Sequence, residues 1–542
     1  MIFSQLSLNF LNEFISKEQF QNFRDSLEII TQDGHFDFNI KDKELAVLIF
    51  ENSISDDFFW HKKSLVSFCQ ALPEITQNKI ISSLNLDKIQ SIEWSSETFD
   101  FLHSTFGLND RFKFTPKSEA ATKFDGITII EKPERIFKNL KEYQYSIYFE
   151  VYNYISNTPY SRCIVQMPTG SGKTRTAIEV VSEVLNNSKR NVLWLANTQE
   201  LCDQAYETFL DIWHFNKRLN CQAINHLYAE NIIHRSDFTE FHVSTLQSLN
   251  NDKALSDFLE TKLDLNQLEL VIVDEAHISI APTYKKLIEK LLIKGAKLIG
   301  LTATPGRQLK AEEQKDQNKT LSDFYFNKLF SLNIPSGNTI DYLRDIGVLA
   351  TTKFHSIEGS TLDKFLSEKE IEVCKTNFTL PKKLEKILTN EPIRNAVIFD
   401  KLVELLNRGK KIIFFATSIE HSKLISTMLK MKGFSSAHID GNTGQTRKSL
   451  IDKFKSNEIQ ILCNYGVLST GFDEPKIDVV FMTRPTNSIV LYSQILGRGL
   501  RGPLIGGTEF CEIYSVLDNI LDFPENRKIF NYFDEYFTNQ SN

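Results

Sequence analysis

The sequence of 542 residues predicts an α/β protein in which two parallel-sheet domains stand in tandem behind a mainly α-helical segment. Short β-branched runs alternate with amphipathic stretches from about residue 135, as in "RCIVQM", "NVLWLA", "FHVSTL", "LELVIVD" and "AKLIGLT". A second series starts near residue 411 with "KIIFFAT", "SSAHID", "IQILCN", "DVVFMT" and "FCEIYSV". Such runs are typical of parallel strands, because helices cover both faces of their sheet.

The segment before these runs has a different character. Its apolar residues follow helical spacing in "LNEFISKEQFQNFRDSLEII". Residues 1–135 contain 14 Lys and Arg but 21 Asp and Glu, so the whole net charge of −7 lies there. Because such a charge repels phosphates, the segment is predicted to be an accessory or protein-interaction domain. We expect the tandem α/β domains to bury their own apolar surfaces without it.

These changes of pattern divide the chain into five parts. The polar stretch "GRQLKAEEQKDQNK" marks the end of the first series of strands. The predicted parts are an acidic accessory domain at 1–130, a first α/β domain at 131–310, a connector at 311–385, a second α/β domain at 386–515 and a helical tail at 516–542.

The composition argues against several classes of protein. No run of about 18 apolar residues occurs, so no membrane span is expected. The seven cysteines are scattered and include no Cys-x-x-Cys pair, which favours neither a disulfide framework nor a zinc site. Together these features predict a protein of the reducing cytoplasm.

Residues 166–174, "QMPTGSGKT", have the pattern of a phosphate-binding loop. A strand is predicted at 163–167 and a helix at 174–185, which is the context that such a loop requires. Backbone N–H groups in a glycine-rich turn and at a helix N-terminus form a cradle for anions. Met167 stands where the usual pattern begins with glycine, so the loop by itself leaves a chance match open.

The side chains of this loop predict how a nucleoside triphosphate would be held. Gly170 and Gly172 allow the backbone to approach oxygens closely, and Lys173 would reach the β- and γ-phosphates. Thr174 would hold Mg²⁺. The residues of the loop predicted to bind nucleotide are Thr169, Gly170, Ser171, Gly172, Lys173 and Thr174.

About 100 residues further on, the stretch "LVIVDEAH" at 270–277 runs from four apolar residues into two carboxylates. A strand that ends at Asp274 places this carboxylate at the carboxyl edge of the sheet, beside the phosphate loop. We predict that Asp274 binds Mg²⁺ and that Glu275 orients and activates the attacking water. Acidic strand ends are common on protein surfaces. This pattern is informative because it follows the phosphate loop in the sequence.

In this order, the motifs resemble those of the superfamily 2 DEAD/DEAH-box helicases and translocases. "LTATP" at 301–305, "VLSTGFDEP" at 467–475 and "SQILGRGLRG" at 493–502 follow, and "LKEYQ" at 140–144 precedes them. The phosphate loop of this family often lacks the first glycine, which accounts for Met167. The resemblance extends over about residues 135–515 and implies two RecA-like domains with ATP in the cleft between them.

The resemblance also implies roles for individual residues. Gln144 would read the adenine edge, with Lys141 in place of the more usual arginine. The residues implied in the second domain are Gln494, Arg498 and Arg501 for hydrolysis, and Gly471 and Asp473 for nucleotide binding. The residues implied as contacts to nucleic-acid phosphates are Thr198, Thr245, Thr417 and Thr470. Any one of these threonines could instead be a helix cap or a sheet residue.

Three longer stretches resemble one particular branch of this superfamily. "VLWLANTQELCDQA", "GLTATPGR" and "IVLYSQILGRGLRGP" are similar to the helicase subunits of type III restriction enzymes. That branch acts mainly on double-stranded DNA, and many of its members belong to bacterial anti-phage defence systems. The resemblance therefore implies ATP and Mg²⁺ as cofactors, double-stranded DNA as nucleic-acid partner, and a protein partner bound through the N-terminal domain.

Two other functions stay open at this point. One is an ATP-dependent switch that gates a partner effector, and the other is the helicase subunit of a restriction nuclease. The N-terminal segment contains no complete nuclease pattern. "HKKSLVSF" at 61–68 begins like the motif of phospholipase-D-type nucleases, but Phe68 stands where an aspartate is needed. "FDGITIIEKP" at 124–133 lacks the Glu-x-Lys spacing of metal-dependent nucleases.

Overall fold

The molecule consists of a helical N-terminal domain followed by two parallel β-sheets with helices around them. A computed structural model describes residues 2–32, 41–54, 58–109, 112–113, 139–215, 223–226, 239–261, 263–303, 312–332, 339–359, 382–441, 443, 446–468, 474, 476–484 and 501–518.

The helical N-terminal segment is confirmed. Its described α-helices are α1 Leu8–Phe14, α2 Lys17–Gln32, α3 Asp42–Ser53, α4 Lys62–Gln70, α5 Glu74–Ser83 and α6 Ser96–Phe106. The core of this domain is aromatic, because Phe3, Phe50, Phe59 and Phe68 are all buried. The rings of Phe59 and Phe68 meet edge to face with centroids 4.9 Å apart, a favourable arrangement for aromatic pairs.

The first sheet has seven parallel strands in the order β3-β4-β2-β5-β6-β1-β7. They are β1 Arg162–Gln166, β2 Asn191–Ala196, β3 Ala223–His226, β4 Glu240–Thr245, β5 Leu268–Asp274, β6 Lys297–Thr302 and β7 Leu329–Ser331. The helices of this part are α7 Glu142–Asn157, α8 Lys173–Ser188, α9 Gln199–Phe215, α10 Leu246–Leu249, α11 Asp252–Thr261, α12 Pro282–Leu291, α13 Glu312–Phe324 and α14 Thr339–Asp345. All five predicted runs form strands, while β3 and β7 lie outside them.

The second sheet has six parallel strands in the order β10-β11-β9-β12-β13-β8. They are β8 Thr351–Glu358, β9 Ile412–Phe415, β10 Ser436–Ile439, β11 Ile461–Asn464, β12 Val479–Met482 and β13 Phe510–Leu517. The helices are α15 Lys382–Thr389, α16 Pro392–Asn407, α17 Ile419–Met431 and α18 Thr446–Lys455. The second predicted series is therefore also confirmed, with β8 as the strand that the pattern did not indicate.

The segment predicted as a connector, 311–385, contributes to both sheets. Strand β7 pairs with β1 at the edge of the first sheet, and β8 pairs with β13 at the edge of the second. Buried residues of α14 and of the turn after it, among them Leu343 and Leu349, join an apolar core that extends into both domains. The two sheets are thus linked through packed structure in this segment.

The N-terminal domain packs on the second α/β domain. Helix α2 lies against α16, and α3 lies against α17. Phe50 of the N-terminal domain and Phe399 and Phe414 of the second domain belong to one continuous apolar core. This differs from the expectation that the tandem domains bury their own surfaces alone. The helical periodicity of the N-terminal segment indicates that a face is buried but not which partner covers it.

Among the residues that the structure describes, no helix combines the length and apolar character needed to cross a bilayer.

Candidate nucleotide site

The phosphate loop connects β1 to α8 at the carboxyl edge of the first sheet. The loop leaves β1 after Gln166, and the N–H of Met167 donates to the carbonyl oxygen of Thr302 at the end of β6, 3.1 Å away. Gly170 and Gly172 both have φ of 85°, in the left-handed region that favours glycine. Helix α8 begins directly afterwards, so its N-terminal N–H groups face the space above the loop.

Two side chains of α7 hold this loop from the other side. Tyr143 Oη donates to the carbonyl oxygen of Ser171 at 2.8 Å, and Gln144 Nε2 donates to the same oxygen at 3.0 Å. Gln144 Oε1 also accepts from the backbone N–H of Lys141, which caps α7. The amide of Gln144 therefore joins the helix start to the loop, and its predicted contact with adenine stays a prediction.

Two carboxylates follow β5 and face the loop. Asp274 is buried at the end of the strand, and its Oδ1 accepts from the N–H of Glu275 at 3.0 Å. Lys173 Nζ lies 3.9 Å from Asp274 Oδ1 and 3.7 Å from Glu275 Oε1. Glu275 has φ of 56°, an unusual conformation for a residue with a side chain. Local strain of this kind is concentrated at functional sites.

The electrostatics of this pair favour an additional cation. Burial raises the pKa of Asp274 to about 6, the nearby Lys173 ammonium lowers it, and the Glu275 carboxylate raises it again. The buried carboxylate is therefore not fully compensated by Lys173. His277 Nδ1 lies 3.4 Å from Glu275 Oε2, so the imidazole contacts the second carboxylate.

The residues fit a magnesium ion that arrives with a nucleotide. Asp274 offers a carboxylate with a raised pKa, and Thr174 offers a hydroxyl in the first turn of α8. Within the described ranges, no cluster of three His, Cys, Asp or Glu side chains could hold a metal alone. Mg²⁺ commonly takes only one or two protein ligands and completes its octahedron with water and phosphate oxygens.

Three of the four threonines predicted to contact nucleic acid lie in the described structure, where each makes a hydrogen bond within the protein. Thr198, which directly precedes α9, accepts at Oγ1 from the N–H of Leu201 in the first turn of that helix, and Thr245 Oγ1 caps α10 by accepting from the N–H of Ser248. Thr417 is fully buried, and its hydroxyl donates to the carbonyl oxygen of Thr483 at 3.0 Å.

Part of the second half of the predicted site lies outside the described residues. Arg501 is described: its backbone forms an antiparallel bridge with Leu349, and its carbonyl oxygen accepts from the N–H of Thr508. Burial lowers the pKa of its guanidinium to about 10. The predicted residues that lie outside the described ranges are Thr470, Gly471, Asp473, Gln494 and Arg498.

Two features of the site were not predicted from sequence. Tyr143 anchors the loop, and its place beside Gln144 in "LKEYQ" is the only signal that could have indicated it. Arg447 of α18 forms an ion pair with Glu200 in the first turn of α9, which joins the second α/β domain to the first. Nothing in the local sequence indicates that pair.

Comparison with known proteins identifies the family. Residues 137–307 match the family described as type III restriction enzyme, res subunit. Residues 397–502 match the helicase conserved C-terminal domain. Together the two matches span just over half of the chain, and each covers one of the two α/β domains.

The individual relatives have low sequence identity to this chain or match only a short part of it. The chain is 24% identical to a 51.5 kDa protein of a Lactococcus phage over 340 residues, covering 62% of each chain. It is 23% identical to the type I restriction enzyme EcoKI endonuclease subunit of Escherichia coli over 409 residues, covering 66% of this chain and 33% of that one. It is 31% identical to the ATP-dependent rRNA helicase RRP3 of Candida albicans over 117 residues, 21% of each chain.

The chain thus spans less than two thirds of the length of these relatives. Among solved structures, the Hef helicase domain of Pyrococcus furiosus aligns with a TM-score of 0.43 at 18% identity, over 73% of this chain and 98% of that one. The phosphate loop, the acidic strand end and the two family matches lead to one conclusion. The chain belongs to the helicases of superfamily 2, in the branch that resembles restriction enzymes.

Proposed function

We propose that this chain is a nucleic-acid-stimulated ATPase that translocates on or unwinds nucleic acid, with double-stranded DNA as the favoured substrate. The observation that carries the proposal is that the ammonium of Lys173 in the phosphate loop lies close to the carboxylates of Asp274 and Glu275. Lys173 Nζ lies 3.9 Å from Asp274 and 3.7 Å from Glu275. Ligands of open α/β sheets bind at this carboxyl edge.

The residues of the first domain can divide the work of hydrolysis. Lys173 would place its ammonium on the β- and γ-phosphate oxygens, where it offsets the charge of the transferring group. Glu275 would accept a hydrogen bond from the attacking water and orient it in line with the leaving oxygen. His277, 3.4 Å from the Glu275 carboxylate, would hold that carboxylate in position.

Thr174 and Asp274 are the residues that would hold Mg²⁺. When bound, this ion supplies positive charge to the phosphate oxygens and thereby stabilises the developing charge of the reaction. The raised pKa of Asp274 fits the role, since a nearby cation favours the ionised carboxylate.

The second domain would complete the site when the cleft closes. Arg498 and Arg501 would stabilise charge on the transferring phosphoryl group, together with Gln494. Gly471 and Asp473 would contact the nucleotide, and Gln144 would read its adenine. Because these groups come from two domains, hydrolysis and domain closure would be linked, and this linkage would drive movement along nucleic acid.

We also propose a role in bacterial anti-phage defence, and both this role and the choice of double-stranded DNA draw on the relatives. One relative is an endonuclease subunit of a type I restriction enzyme, and the matched family is described by a type III restriction subunit. Another relative is named as an rRNA helicase, so an RNA substrate is the main competitor. Thr198, Thr245, Thr417 and Thr470 stay the proposed phosphate contacts, but Thr417 would have to give up a bond to reach a phosphate, because its hydroxyl and its backbone N–H both donate within the protein.

The test is the ATP hydrolysis rate of the full chain with a panel of nucleic acids. Double-stranded, single-stranded and forked DNA are compared with matched RNA at one salt concentration, because salt strongly affects phosphate contacts. We expect the largest stimulation with double-stranded DNA. Stimulation by RNA alone would indicate that the substrate is RNA. A hydrolysis rate that no nucleic acid stimulates would contradict the proposal.

Two variants assign the chemistry. Lys173→Ala should lose most hydrolysis, and Glu275→Gln should bind ATP but turn over at a rate lower by about 10²-fold or more, as is typical when a catalytic base is removed. Lys189→Ala, at the exposed far end of α8, is the matched control and should hydrolyse ATP normally. Wild-type turnover by Glu275→Gln would remove that residue from the mechanism.

An ATP-dependent switch that gates a partner is the second candidate. The shared core of the N-terminal domain and the second α/β domain favours it, because a partner bound on the former would act on a domain that closes over ATP. ATP-dependent binding of a partner without stimulation by nucleic acid would support this function. The third possibility, a restriction nuclease subunit, requires metal-dependent cleavage of DNA in the same assays.

A further inference from the structure

Helix α7 has a buried apolar face and, beside it, a second row of aromatic side chains that is only partly covered. The buried face consists of Tyr143, Ile147, Val151 and Ile155. The second face carries four aromatic side chains spaced by three, four and seven residues, which places them in one stripe: Tyr145, Tyr148, Phe149 and Tyr152. A surface helix ordinarily turns polar residues to this side, so the stripe calls for an explanation.

The stripe is preformed, and two of its four rings are open to solvent. Tyr145 and Phe149 are 57% and 52% exposed. Their rings stack with centroids 6.4 Å apart, and those of Tyr148 and Tyr152 stack at 6.1 Å. Tyr148 and Tyr152 rest against the core, and Tyr152 Oη accepts a hydrogen bond from Asn187 of α8. The rings therefore form a rigid platform, which loses little conformational entropy on binding.

Carboxylates border this platform. Glu179 and Glu183 of α8 lie close enough to Tyr148 to raise the pKa of its phenol, after the larger effect of burial. Glu142 stands on α7 one turn before Tyr145. Arg175 of α8 pairs with Glu179 and compensates its charge, so Glu183 and Glu142 are the bordering carboxylates offered to a partner, while Lys173 faces the acidic pair of the nucleotide site.

We propose that the aromatic stripe of α7 is a docking surface for a basic, amphipathic helical segment of a partner protein. Aromatic faces attract guanidinium and ammonium groups, and the bordering carboxylates complement the same charges. Exposed tyrosine and phenylalanine in such clusters are typical of binding hot spots. Nucleic acid does not fit the surface, since its phosphates would meet the glutamates.

A partner on this surface would stand close to the nucleotide site. Tyr143 and Gln144 of the same helix donate to the carbonyl oxygen of Ser171 in the phosphate loop. A partner that shifts α7 would therefore change the position of that loop. This effect on turnover rests on the proposed function, whereas the binding itself does not.

Two synthetic helical peptides with the same leucine face test the binding. One has lysine and arginine on its polar face, the other has glutamate, and both carry fluorescein for anisotropy with the full chain. We expect the basic peptide to bind and the acidic one not to bind. Tyr145→Ala/Phe149→Ala should weaken binding about tenfold or more, and Glu142→Gln/Glu183→Gln should reduce both affinity and salt dependence.

Phe354→Ala is the matched control, because Phe354 on β8 is an aromatic residue 52% exposed. It should leave peptide binding unchanged. Thermal melting checks that all variants stay folded, as expected for exposed side chains. The proposal is overturned if neither peptide binds, if both bind equally, or if Tyr145→Ala/Phe149→Ala binds like the wild type. It is also overturned if that variant instead abolishes self-association or DNA binding, which would assign the stripe to a second copy or to nucleic acid.

Discussion

Arg394 and Asp518 form a bidentate ion pair in the interior of the second α/β domain. Arg394 Nε lies 2.7 Å from Asp518 Oδ1, and Nη2 lies 2.8 Å from Oδ2. Nη2 also donates to the carbonyl oxygen of Thr483 at 2.6 Å. The pair connects the first turn of α16 with the carboxyl ends of β12 and β13.

Removing one member of this pair should be far more harmful than replacing both. Asp518→Asn leaves a buried guanidinium without its counter-ion, and we expect the free energy of unfolding to fall by about 3–5 kcal/mol. Urea unfolding followed by fluorescence measures it. The variant Arg394→Met/Asp518→Leu keeps the volume without the charges and should cost less than Asp518→Asn. A double variant as unstable as the sum of both single ones would contradict this account.

His421 should make stability depend on pH. Burial lowers the pKa of the imidazole well below its ordinary value, the nearby Arg394 lowers it further, and Thr417 N–H donates to Nδ1 at 3.2 Å. The unfolded chain then takes up a proton below about pH 6.5 that the folded protein refuses. The contribution to stability is therefore present above pH 6.5 and is lost as the pH falls toward the folded pKa.

The expected loss is at most about 1.4 kcal/mol for each pH unit below 6.5. Chemical unfolding at pH 7.5, 6.5 and 5.5 should show a steeper decline for the wild type than for His421→Gln. His61→Gln, at an exposed position of the N-terminal domain, is the control and should decline like the wild type. Parallel curves for the wild type and His421→Gln would show that His421 is charged in the folded state.

Gly172 should tolerate no side chain. Its φ is +85°, and a Cβ there would lie 2.2 Å from Gln144 Nε2. Gly172→Ala should lower stability by about 1–2 kcal/mol from backbone strain and should weaken ATP binding because Gln144 must move. Gly409→Ala separates the two effects, since Gly409 has φ of +73° and nothing within 4 Å. Gly409→Ala should lose stability from backbone strain without any change in ATP binding. If Gly172→Ala bound ATP with wild-type affinity, the steric argument would be refuted.

The ion pair between Glu200 and Arg447 should stabilise the present arrangement of the two α/β domains. Both side chains are partly exposed, so the pair is worth only about 0.2–1 kcal/mol. Energy transfer between dyes on the two domains measures their separation. Arg447→Glu should increase it, and the exchange Glu200→Arg/Arg447→Glu should restore it. The same exchange at Asp252 and Lys290, within the first domain, should change nothing. If the exchanged variant changed the separation of the domains by the sum of the changes in the two single variants, the contact would be disproved.

A chain truncated to begin at Ala121 should lose the integrity of its second domain. The deletion removes α2 and α3 from α16 and α17 and exposes the shared core around Phe399. We expect aggregation or a markedly lower melting temperature. Supplying residues 1–120 as a separate polypeptide should restore solubility by forming a complex. A soluble truncated chain with an unchanged second-domain transition would show that the interface contributes little.

Local sequence determined much of the fold and of the first half of the site. Apolar runs between turns specify parallel strands, and glycines before a helix specify a loop that can take φ of 85°. Because parallel strands end at one edge of their sheet, the position of Asp274 at the end of β5 was enough to place it near Lys173.

Other features depended on the tertiary structure alone. Arg394 and Asp518 are 124 residues apart, and Glu200 and Arg447 are 247 apart. Periodicity indicates that a helix has an apolar face, but it does not say which element covers that face. The docking of the N-terminal helices on the second domain and the uncovered stripe of α7 therefore became visible only in three dimensions. The sequence by itself determined most of the elements and the chemistry of the phosphate loop, while long-range packing decided which elements meet, because local interactions carry no information about distant partners.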